Sequence, residues 1–529
     1  MSFVKSNFFV ISKDDDLTKI QSKIYGFQLN YGQEKKGHFV KISCNVDWVN
    51  LSVDKNGMGI LFEYRNEDYW AISNSFYLLT EFISKRNQKL SVNNDYLNLF
   101  AKINAITTVT YSETLFNEIS IVPSNREIRI FKKTKGVIYK DFKENNHLSM
   151  GSTESLEYID KWANKWIAII RRLVESGCQI NLQLSGGFDS RLVLALFIAS
   201  GIDFRKINIE SSKSMKEDLA IAEEISNFYG FKINNGLIEQ YKSSLISRED
   251  QYNINMYFRG CLHKEFLPPT HYKFYEKPLF IFAGYGNMRG WFNDTPERYM
   301  NFLSRNQYLK DENIEDSLKK ILIKAFDDVY RRMNFNIPKG KNFMNFVYNY
   351  TRGRYNYGSS VLASASVNQY ILSPILDLEC INPSSKTYGD DFNLLFAYIY
   401  ERFAPDLLRF KFNSNRFIPH NTKDIAKQLN KIKQFEETDD SSLLSFEFQK
   451  NKKELSKGYF NKDLKEKILE SLGCVEIEII NHFVGNRYLD LAKEEFDSNT
   501  RHSEKSIFCL YALTKSIKNS LHLPANLAY

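Results

Sequence analysis

The sequence lacks the features that define several classes of protein. Its 529 residues include only 6 cysteines, which are far apart and form no C-x-x-C pair, so neither a zinc site nor a disulfide framework is indicated. No apolar run approaches the roughly 20 residues needed to span a bilayer, and no targeting segment is evident. We therefore expect reduced thiols and a soluble, cytoplasmic protein that does not associate with membranes.

A strong charge bias is also absent. The net charge is +8, from 71 Lys and Arg against 63 Asp and Glu, and the basic residues are spread along the chain between acidic clusters such as 436–440. This distribution is typical of a solvated surface and not of a nucleic-acid groove, so we expect no nucleic-acid partner. The length predicts roughly two to four domains.

The phosphate-binding pattern G-x-x-x-x-G-K-[S/T] is missing too, which argues against a kinase or GTPase of that type. In its place the chain has an apolar strand-like run at 180–184, the turn SGGFDS at 185–190, and a helix-like run from Arg191. Glycines let backbone N–H groups approach a phosphate, and the N-terminus of the following helix attracts anions. Ser185 and Ser190 add hydroxyl groups. This order of elements predicts a phosphate-binding turn.

Asp189, inside the same turn, would repel a bare phosphate because both groups are negative. Its presence indicates a divalent cation shared between the carboxylate and a nucleotide. We therefore predict that the turn binds ATP and that Asp189 holds Mg²⁺. The nucleotide-binding residues predicted in this turn are Ser185, Gly186, Gly187, Asp189 and Ser190.

The SGGFDS turn resembles the SGGxDS signature of the PP-loop ATP pyrophosphatases, and its surroundings resemble the synthetase domain of the asparagine synthetase family. The resemblance covers almost the whole chain and implies an α/β fold. Residues 150–529 would form a doubly wound, parallel-sheet PP-loop domain with C-terminal helices. Residues 1–145 would form an α+β, Ntn-hydrolase-like β-sandwich, in keeping with the period-2 strand pattern of runs such as 38–48 and with a T-L-F-x-x-I phrase in the run 114–142.

The N-terminal domain departs from the family at its nucleophile. Glutaminases of this family expose a cysteine directly after the initiator methionine, whereas this chain has Ser2 and lacks the glycine that should follow. This implies a degenerate glutaminase-like domain kept as a scaffold, as in β-lactam synthetase and lasso-peptide cyclases. We expect no glutamine hydrolysis, so the amine would come from the substrate itself, from a second substrate or from free ammonia.

A second loop, GYGNMR at 284–289, follows the apolar strand-like run 278–283. It stands where asparagine synthetases carry G-x-G-x-D-E, whose aspartate helps to hold magnesium and pyrophosphate. Met288 and Arg289 replace that acidic pair, and Arg289 is expected to place a positive charge beside the phosphates instead. The predicted nucleotide-binding residues of this loop are Gly284, Gly286 and Arg289.

Tyr285 makes the second loop similar to that of β-lactam synthetase, in which the G-Y-G turn supplies a catalytic tyrosine. The resemblance implies a catalytic role for Tyr285. That enzyme pairs its tyrosine with a later glutamate, but the region 342–376 contains no Asp or Glu. A tyrosine–glutamate dyad therefore cannot be assembled from this region.

Strand–helix–strand alternation after the first turn predicts a parallel sheet. A strand is expected within 202–212, then a helix that ends at Gly230, then a third strand. In the family the end of this second strand touches the adenine, and a D-x-x-x-A phrase begins the helix. Asp218 matches that phrase loosely, but an aspartate in the first turn of a helix is also a good electrostatic cap. Both interpretations stay open.

The run 405–419 resembles the family's closing R-x-K-x-x-F-x-x-P phrase, and Pro374 to Asp377 resembles its P-x-L-D phrase. In relatives the lysine of the closing phrase contacts the α-phosphate and the developing charge, which implies a catalytic role for Lys411. Because the spacing is imperfect, Lys386 and Arg416 are alternatives. The remainder, from about residue 421, is predicted to be helical.

The sequence thus predicts a carbon–nitrogen ligase that adenylates a carboxylate with ATP and transfers it to an amine, releasing AMP and pyrophosphate. The carboxylate would be a small molecule or a peptide, such as a precursor of a surface glycan or of a peptide metabolite. Aspartate with ammonia is less favoured. Two other classes stay open: a pseudo-synthetase that binds nucleotide as a regulatory or scaffold protein, and a PP-loop RNA-modifying enzyme. A homodimer is also possible.

Overall fold

Both parallel and antiparallel sheets organise the protein, so the prediction of a mixed α/β class is confirmed. The structure is a computed structural model. It describes residues 7–31, 34–96, 99, 112–142, 148–246, 248–262, 273–286, 295–305, 314–332, 341–378, 380–382, 384–385, 389–390, 392–432, 435–436 and 444–448.

The strands of the described residues are numbered in chain order. They are β1 Val10–Ser12, β2 Lys23–Tyr31, β3 Glu34–Cys44, β4 Trp48–Val53, β5 Phe62–Arg65, β6 Trp70–Ser73, β7 Ile119–Ile121, β8 Arg126–Phe131, β9 Val137–Asp141, β10 Leu148–Ser149, β11 Gln179–Gln183, β12 Asn208–Glu210, β13 Ser243–Leu245, β14 Lys273–Tyr275, β15 Leu279–Phe282, β16 Gln369–Leu372, β17 Ile381–Asn382, β18 Ser384–Ser385, β19 Gly389–Asp390 and β20 Leu444–Phe448.

The α-helices of the same residues are α1 Phe76–Ser84, α2 Thr153–Glu175, α3 Phe188–Ala199, α4 Lys216–Tyr229, α5 Leu237–Gln240, α6 Arg248–Arg259, α7 Pro296–Arg305, α8 Ile314–Arg332, α9 Lys341–Tyr348, α10 Arg354–Ala365, α11 Phe392–Phe403 and α12 His420–Ile432. A π-helical turn at Asn349–Gly353 joins α9 to α10. Short 3-10 segments lie at Leu17–Lys19, Phe204–Lys206, Pro374–Leu378 and Pro405–Arg409.

Two antiparallel sheets form the N-terminal region, which confirms the strands predicted there. One sheet has the order β1-β6-β5-β7 and the other β20-β2-β3-β4-β8-β9. Alternate residues of both sheets point into a shared apolar core, including Ile11, Val40, Val49, Ile72 and Ile128. This is the packing of a β-sandwich.

Helices cover the opposite face of the β1-β6-β5-β7 sheet. Phe62 and Tyr64 of β5 are buried there with Phe76 of α1 and Leu322 of α8 in a second apolar cluster. Because alternate residues of β6 lie in the two clusters, one strand supplies both cores. The sheet therefore lies between a second sheet and a layer of helices.

The prediction that the region after residue 421 is helical is right for α12 and wrong for residues 444–448. These residues form β20, which pairs antiparallel with β2. Phe446 and Phe448 lie with their ring centroids 5.9 and 6.0 Å from that of Phe280, while Ser445 and Glu447 alternate with them. Period-2 alternation against a buried surface favours a strand over a helix.

A four-stranded sheet with the order β12-β11-β15-β16 forms the second half of the described chain, and all its neighbouring strands are parallel. One face packs through residues such as Leu182 and Phe282 against helices α2, α3 and α11. The chain leaves β11 for β12 on one side and later adds β15 on the other. Ligands of such sheets bind at the carboxyl edge where the strand order reverses.

The helix predicted after β12 is confirmed as α4, which ends at Gly230 in the left-handed region with φ +74°. The prediction of a third strand directly after it is wrong. The side chain of Asn234, at φ +50°, bonds to both backbone polar groups of Ser211. The amide of Asn234 thus occupies the backbone groups of Ser211 that a neighbouring strand could otherwise bond. The next parallel strand along the chain is β15.

Candidate active site

The SGGFDS turn leads from β11 into α3, as the sequence predicts. Helix α3 begins at Phe188, and the preceding Gly187 has an extended backbone with φ −79° and ψ 171° and provides no side-chain cap. Asp189 lies in the first turn of this helix. Ser185, Gly187, Asp189 and Ser190 all line one cavity. The helix N-terminus and the hydroxyl groups of the turn are therefore brought to the same place.

Three backbone amides of the turn are bonded to side chains of the protein itself. The N–H of Ser185 donates to Ser190 Oγ over 3.0 Å, and that of Gly187 donates to Ser185 Oγ over 3.2 Å. The N–H of Gly186 donates to Asp218 Oδ1 over 2.8 Å. These bonds fix the shape of the turn. In this conformation a phosphate would meet the hydroxyls and the start of α3 rather than these three amides.

Glycines let the two predicted loops approach each other. A Cβ atom on Gly284 would lie 2.7 Å from the backbone nitrogen of Ser190 and 2.9 Å from Asp189 Cβ. A Cβ atom on Gly186 would lie 2.8 Å from Asp218 Oδ1. Such distances are far inside van der Waals contact, so neither position accepts a side chain without moving its neighbours. The first and second loops form one surface.

The second loop follows β15, and Gly284 and Tyr285 line the cavity. Gly286 has φ +156° and packs against Ile375. Met288 and Arg289 lie outside the described residues, and so does the predicted contact of Arg289 with phosphate.

Tyr285 stacks on Tyr357 of α10, with ring centroids 4.7 Å apart and planes at 10°. The hydroxyl of Tyr357 lies 3.5 Å from that of Tyr348. Burial raises the pKa of Tyr285, and it also raises the pKa of Tyr357, to which the charge of nearby Asp189 adds. Tyr285 therefore keeps its proton at neutral pH and can donate a hydrogen bond. A role for Tyr357 could not be predicted from the sequence, because only the fold brings α10 beside the loop.

The cavity at the carboxyl edge of β11, β12 and β15 has a volume of about 580 Å³, which is within the usual range for small-molecule sites. Its lining includes the two glycine-containing loops at one end and the end of β12 at the other. The lining residues are Gln183, Leu184, Ser185, Gly187, Asp189, Ser190, Asn208, Glu210, Ser211, Ser212, Lys213, Met215, Asp218, Asn234, Gly236, Ile238, Glu239, Gly284 and Tyr285.

Arg191 attaches the segment that carries Lys411 to the start of α3. Its fully buried guanidinium donates to the carbonyl oxygens of Phe410 and Lys411 over 3.0 and 2.7 Å. Burial lowers the pKa of Arg191 to about 10, so it stays charged at neutral pH. Phe412 stacks on Phe188, with centroids 3.5 Å apart. The segment is thereby packed onto the turn.

Lys411 itself contributes its carbonyl oxygen to this attachment, and its side chain is not part of the cavity lining. Arg416 is exposed, donates to Asn413 and lies 5.5 Å from the ring of Phe188. Lys386 lies outside the described residues. The structure therefore places two of the three candidate cations beside the turn, and neither of them in the cavity wall.

Asp218 is hydrogen-bonded to the SGGFDS turn. Its side chain is buried at 6% exposure, and Oδ1 accepts hydrogen bonds from the Gly186 N–H and, over 3.3 Å, from Asn413 Nδ2. Asn413 also donates its own N–H to the carbonyl of Gly186 over 3.0 Å. Of the two interpretations of Asp218, a residue of the site fits these contacts better than a simple helix cap.

The prediction from the sequence did not include a polar patch on the parallel sheet. Asn181 of β11 and Asn208 and Glu210 of β12 lie on the face opposite the apolar core, next to Ser211 and Asn234. Buried parallel strands usually read as continuous apolar runs. The polar residues at alternate positions in INLQ and INIE are the signal that the sequence offered.

The aspartate of the P-x-L-D phrase has a different environment from that of Asp189. Asp377 lies 2.9 Å from Lys36 Nζ and 2.8 Å from Lys165 Nζ, and accepts a 3.0 Å bond from Trp166 Nε1. Burial would raise the pKa of Asp377, but the two lysines outweigh it and hold that pKa well below its usual range. Asp377 therefore connects the N-terminal sheet to helix α2.

The donor set at Asp189 fits one particular kind of metal binding. Among the described residues no group of three His, Cys, Asp or Glu side chains lies close enough to hold a metal ion. Mg²⁺ usually keeps several waters and is bound by one or two carboxylates together with substrate phosphates. Asp189, beside a cavity large enough for a nucleotide, fits that arrangement. Cys44, Cys178 and Cys380 are free thiols.

The chain matches no protein-family model and no curated protein sequence. Among the described helices, none combines the length and apolar character required to cross a membrane.

Proposed function

We propose that this protein is an ATP-dependent, AMP-forming amide ligase. The observation that carries the proposal is that the SGGFDS turn and the GYG loop meet at the carboxyl edge of a parallel sheet and line a single cavity of about 580 Å³. Asp189 contributes a carboxylate there, and helix α3 begins there without a side-chain cap. These are the parts that binding of a nucleotide with Mg²⁺ requires.

We also propose which folds the two groups of sheets belong to. The four-stranded parallel sheet with its glycine-containing turn after β11 is consistent with a PP-loop domain, and the two packed antiparallel sheets are consistent with an Ntn-hydrolase-like sandwich. We propose that the sandwich acts as a scaffold without glutaminase activity. Ser2→Ala should therefore leave every activity of the protein unchanged.

In the proposed reaction a carboxylate oxygen attacks the α-phosphorus of ATP, the bond to the bridging oxygen breaks, and pyrophosphate leaves. An amine then attacks the acyl carbon, loses a proton, and releases AMP as the amide forms. Ser185 and Ser190 orient the phosphates by their hydroxyl groups. Bound Mg²⁺, held by Asp189, would neutralise charge on the pyrophosphate.

Tyr285 enters the mechanism as a hydrogen-bond donor. Because burial raises its pKa, it can stabilise charge that develops on an oxygen without giving up its proton. Lys411 is proposed to support the same charge from the segment that Arg191 and Phe412 hold against the turn. The substrate would be a small-molecule or peptide carboxylate, and the acceptor an amine, as in the synthesis of a surface glycan or a peptide metabolite.

One observation favours a second candidate, a pseudo-synthetase that binds nucleotide without turning it over. Three amides of the turn are already bonded to Ser190, Asp218 and Ser185. A phosphate that needed these amides would have to displace those side chains. A protein that retained this closed turn would bind nucleotide weakly and act through a partner.

The test is to incubate purified protein with ATP, Mg²⁺ and pooled carboxylates, with and without ammonia, and to identify the nucleotide products. The ligase proposal expects AMP and pyrophosphate that depend on a carboxylate and are lost in Asp189→Ala. Asp203→Ala is the matched control, because Asp203 is partly exposed, pairs with Arg205 and does not line the cavity. ADP and phosphate, or nucleotide binding without turnover, would contradict the ligase proposal.

A further inference from the structure

Helix α10 is attached to the N-terminal sandwich by one buried arginine. Arg354, the first residue of this helix, is 1% exposed. Its guanidinium donates to the carbonyl oxygens of Gly57 and Gly59 over 2.5 and 3.2 Å, and to that of Val122 over 3.1 Å. Because the guanidinium is planar and rigid, three bonds from it fix both the position and the direction of the helix end. The first turn of α10 therefore has a defined place on the sandwich.

The part of the sandwich that receives α10 is itself held in shape. Asp54 is 2% exposed, and its carboxylate accepts from the N–H groups of Phe39, Met58 and Gly59 over 3.2, 3.1 and 2.7 Å. Hydrogen bonds to an ionised group are stronger than those between neutral groups. The segment 57–59 thus presents its carbonyl oxygens to the arginine from a fixed position.

The middle of α10 packs directly onto the backbone of the same segment. A Cβ atom on Gly358 would lie 2.4 Å from the carbonyl oxygen of Met58, far inside van der Waals contact. Gly358 comes four residues after Arg354, so both lie on the face of α10 that meets the sandwich. Tyr357 precedes Gly358 by one residue, which turns its side chain about 100° around the helix. In that direction its ring reaches Tyr285 of the second loop.

The ring of Tyr357 covers one face of Tyr285. The two ring centroids are 4.7 Å apart, and the planes are at 10°. The hydroxyl of Tyr357 lies 3.5 Å from that of Tyr348, which is too long for a strong hydrogen bond. The stack is therefore the contact by which α10 holds Tyr285. Since Tyr285 lines the cavity, a fixed ring keeps its hydroxyl in one place relative to a ligand.

We propose that the sandwich positions Tyr285 for the reaction, through Arg354 and Tyr357 of α10. The proposal rests on the proposed function, because it takes Tyr285 as the hydrogen-bond donor of the ligase. Tyr357 is a positioning residue, since it is not part of the cavity lining. A displacement of about 1 Å can lower a rate about a hundredfold, so the support behind Tyr285 affects the rate. A sandwich without glutaminase activity then still has a function, which is to fix one wall of the synthetase cavity.

Tyr357→Leu removes the stacked ring and keeps an apolar side chain. Carboxylate-dependent pyrophosphate release by the full chain with Mg²⁺ measures its effect. We expect kcat to fall about ten- to a hundredfold. The KM for ATP should stay within about twofold, because the lost interaction acts in the transition state. Tyr357→Phe restores the ring, so its kcat should return to within about threefold of wild type. A Tyr357→Phe variant as slow as Tyr357→Leu would overturn positioning by the stack.

A double-mutant cycle shows whether Tyr357 acts through Tyr285. Tyr285→Phe removes the hydroxyl and keeps the ring. In that background Tyr357→Leu should lower kcat by less than about twofold, because no donor is left to be misplaced and the two effects are not additive. If the two losses multiply instead, Tyr357 acts on the rate by another route and the proposal is wrong.

Gly358→Ala tests the connection to the sandwich. The added Cβ forces α10 away from Met58, whereas alanine favours the helix itself. We expect kcat to fall at least about tenfold with little change in the KM for ATP. Gly136→Ala, in the turn between β8 and β9, is the matched control, because its Cβ would meet Thr134 Oγ1 at 3.3 Å. It should keep the wild-type rate. Cooperative thermal unfolding verifies that each variant is folded.

The outcomes separate this proposal from the proposed function. Turnover by wild type with unchanged rates in Tyr357→Leu and Gly358→Ala would overturn the positioning role and leave the ligase standing. A loss in Tyr357→Leu alone would overturn the part assigned to the sandwich. No pyrophosphate release by wild type with any carboxylate would overturn the proposed function and the positioning role with it.

Discussion

Asp189 and Asp377 both follow a strand of the same parallel sheet, and their surroundings differ. The side chain of Asp377 is 2% exposed and bonded to Lys36 and Lys165, from β3 and α2. Asp189 lies in the first turn of α3 and lines a cavity of about 580 Å³. The charge of Asp377 is neutralised by two lysines inside the protein, whereas Asp189 is proposed to bind a ligand.

The two environments predict different consequences of replacing each aspartate. A buried carboxylate paired with two lysines holds segments together, and removing one partner leaves uncompensated buried charge. Replacement of a carboxylate at the wall of a cavity leaves no such pair of buried lysines, so we expect it to alter ligand binding more than stability. Both aspartates belong to family-like phrases in the sequence, so only their environment separates a structural residue from a functional one.

The largest effect is expected for Asp377→Ala. It leaves Lys36 and Lys165 buried without their carboxylate, so the free energy of unfolding should fall by about 3–5 kcal/mol. Denaturant unfolding followed by circular dichroism measures it. The triple variant Lys36→Met, Lys165→Met, Asp377→Leu is the control, because apolar replacement of a whole ion triad is often nearly neutral. A stable Asp377→Ala variant would remove the structural half of the comparison.

Asp189→Asn should lower the activity and leave the stability nearly unchanged. We expect carboxylate-dependent pyrophosphate release to fall at least about a hundredfold, or roughly 2.7 kcal/mol of barrier, because the amide cannot hold Mg²⁺ as a carboxylate does. The free energy of unfolding should change by less than about 1 kcal/mol. A loss of stability as large as that of Asp377→Ala would show that Asp189 is also structural.

The dependence of stability on pH sharpens the difference further. The Asp377 carboxyl has a pKa lowered in the folded protein, so its contribution is fully present above its unfolded pKa of about 3.9. That contribution is lost as the pH falls through the folded value. Glu34, which lies 3.8 Å from Lys36, is at the exposed edge of the same group. Unfolding measured from pH 7 downward should show an acid loss that is smaller in Asp377→Asn; equal curves would contradict the assignment.

The smallest effect is expected for Trp166→Phe. It removes the indole N–H that donates to Asp377 Oδ2 over 3.0 Å and keeps an aromatic ring in the core. The free energy of unfolding should fall by about 1–3 kcal/mol, mostly through the unsatisfied acceptor. Trp162→Phe, whose indole donates to the carbonyl of Pro374 over 2.9 Å, is the matched control for loss of an indole bond, and it should not alter the acid part of the pH curve.

The local parts of the site could be predicted from the sequence. The turn after β11, the loop after β15 and the helix that ends at Gly230 each depend on a few neighbouring residues and on the backbone freedom of glycine. Alternation of apolar residues indicated the N-terminal strands in the same local way. Short-range patterns therefore located both cavity loops.

The parts that could not be predicted depend on residues far apart in the chain. Lys36 and Asp377 are separated by 341 positions, and nothing local in either phrase indicates the other. No strand directly follows α4, and the side chain of Asn234 bonds to the backbone of Ser211 instead. The alternation of apolar and polar residues does not indicate such a bond. Tyr357 reaches Tyr285 only because α10 packs beside the second loop.

The most direct test of the account is exchange of labelled pyrophosphate into ATP by wild type and Asp189→Asn, with Mg²⁺ and pooled carboxylates. Adenylation predicts exchange in wild type that requires a carboxylate and is absent in the variant, although both proteins unfold at the same denaturant concentration. Exchange that survives in Asp189→Asn, or no exchange by wild type with any carboxylate, would contradict the proposal that this cavity adenylates a carboxylate.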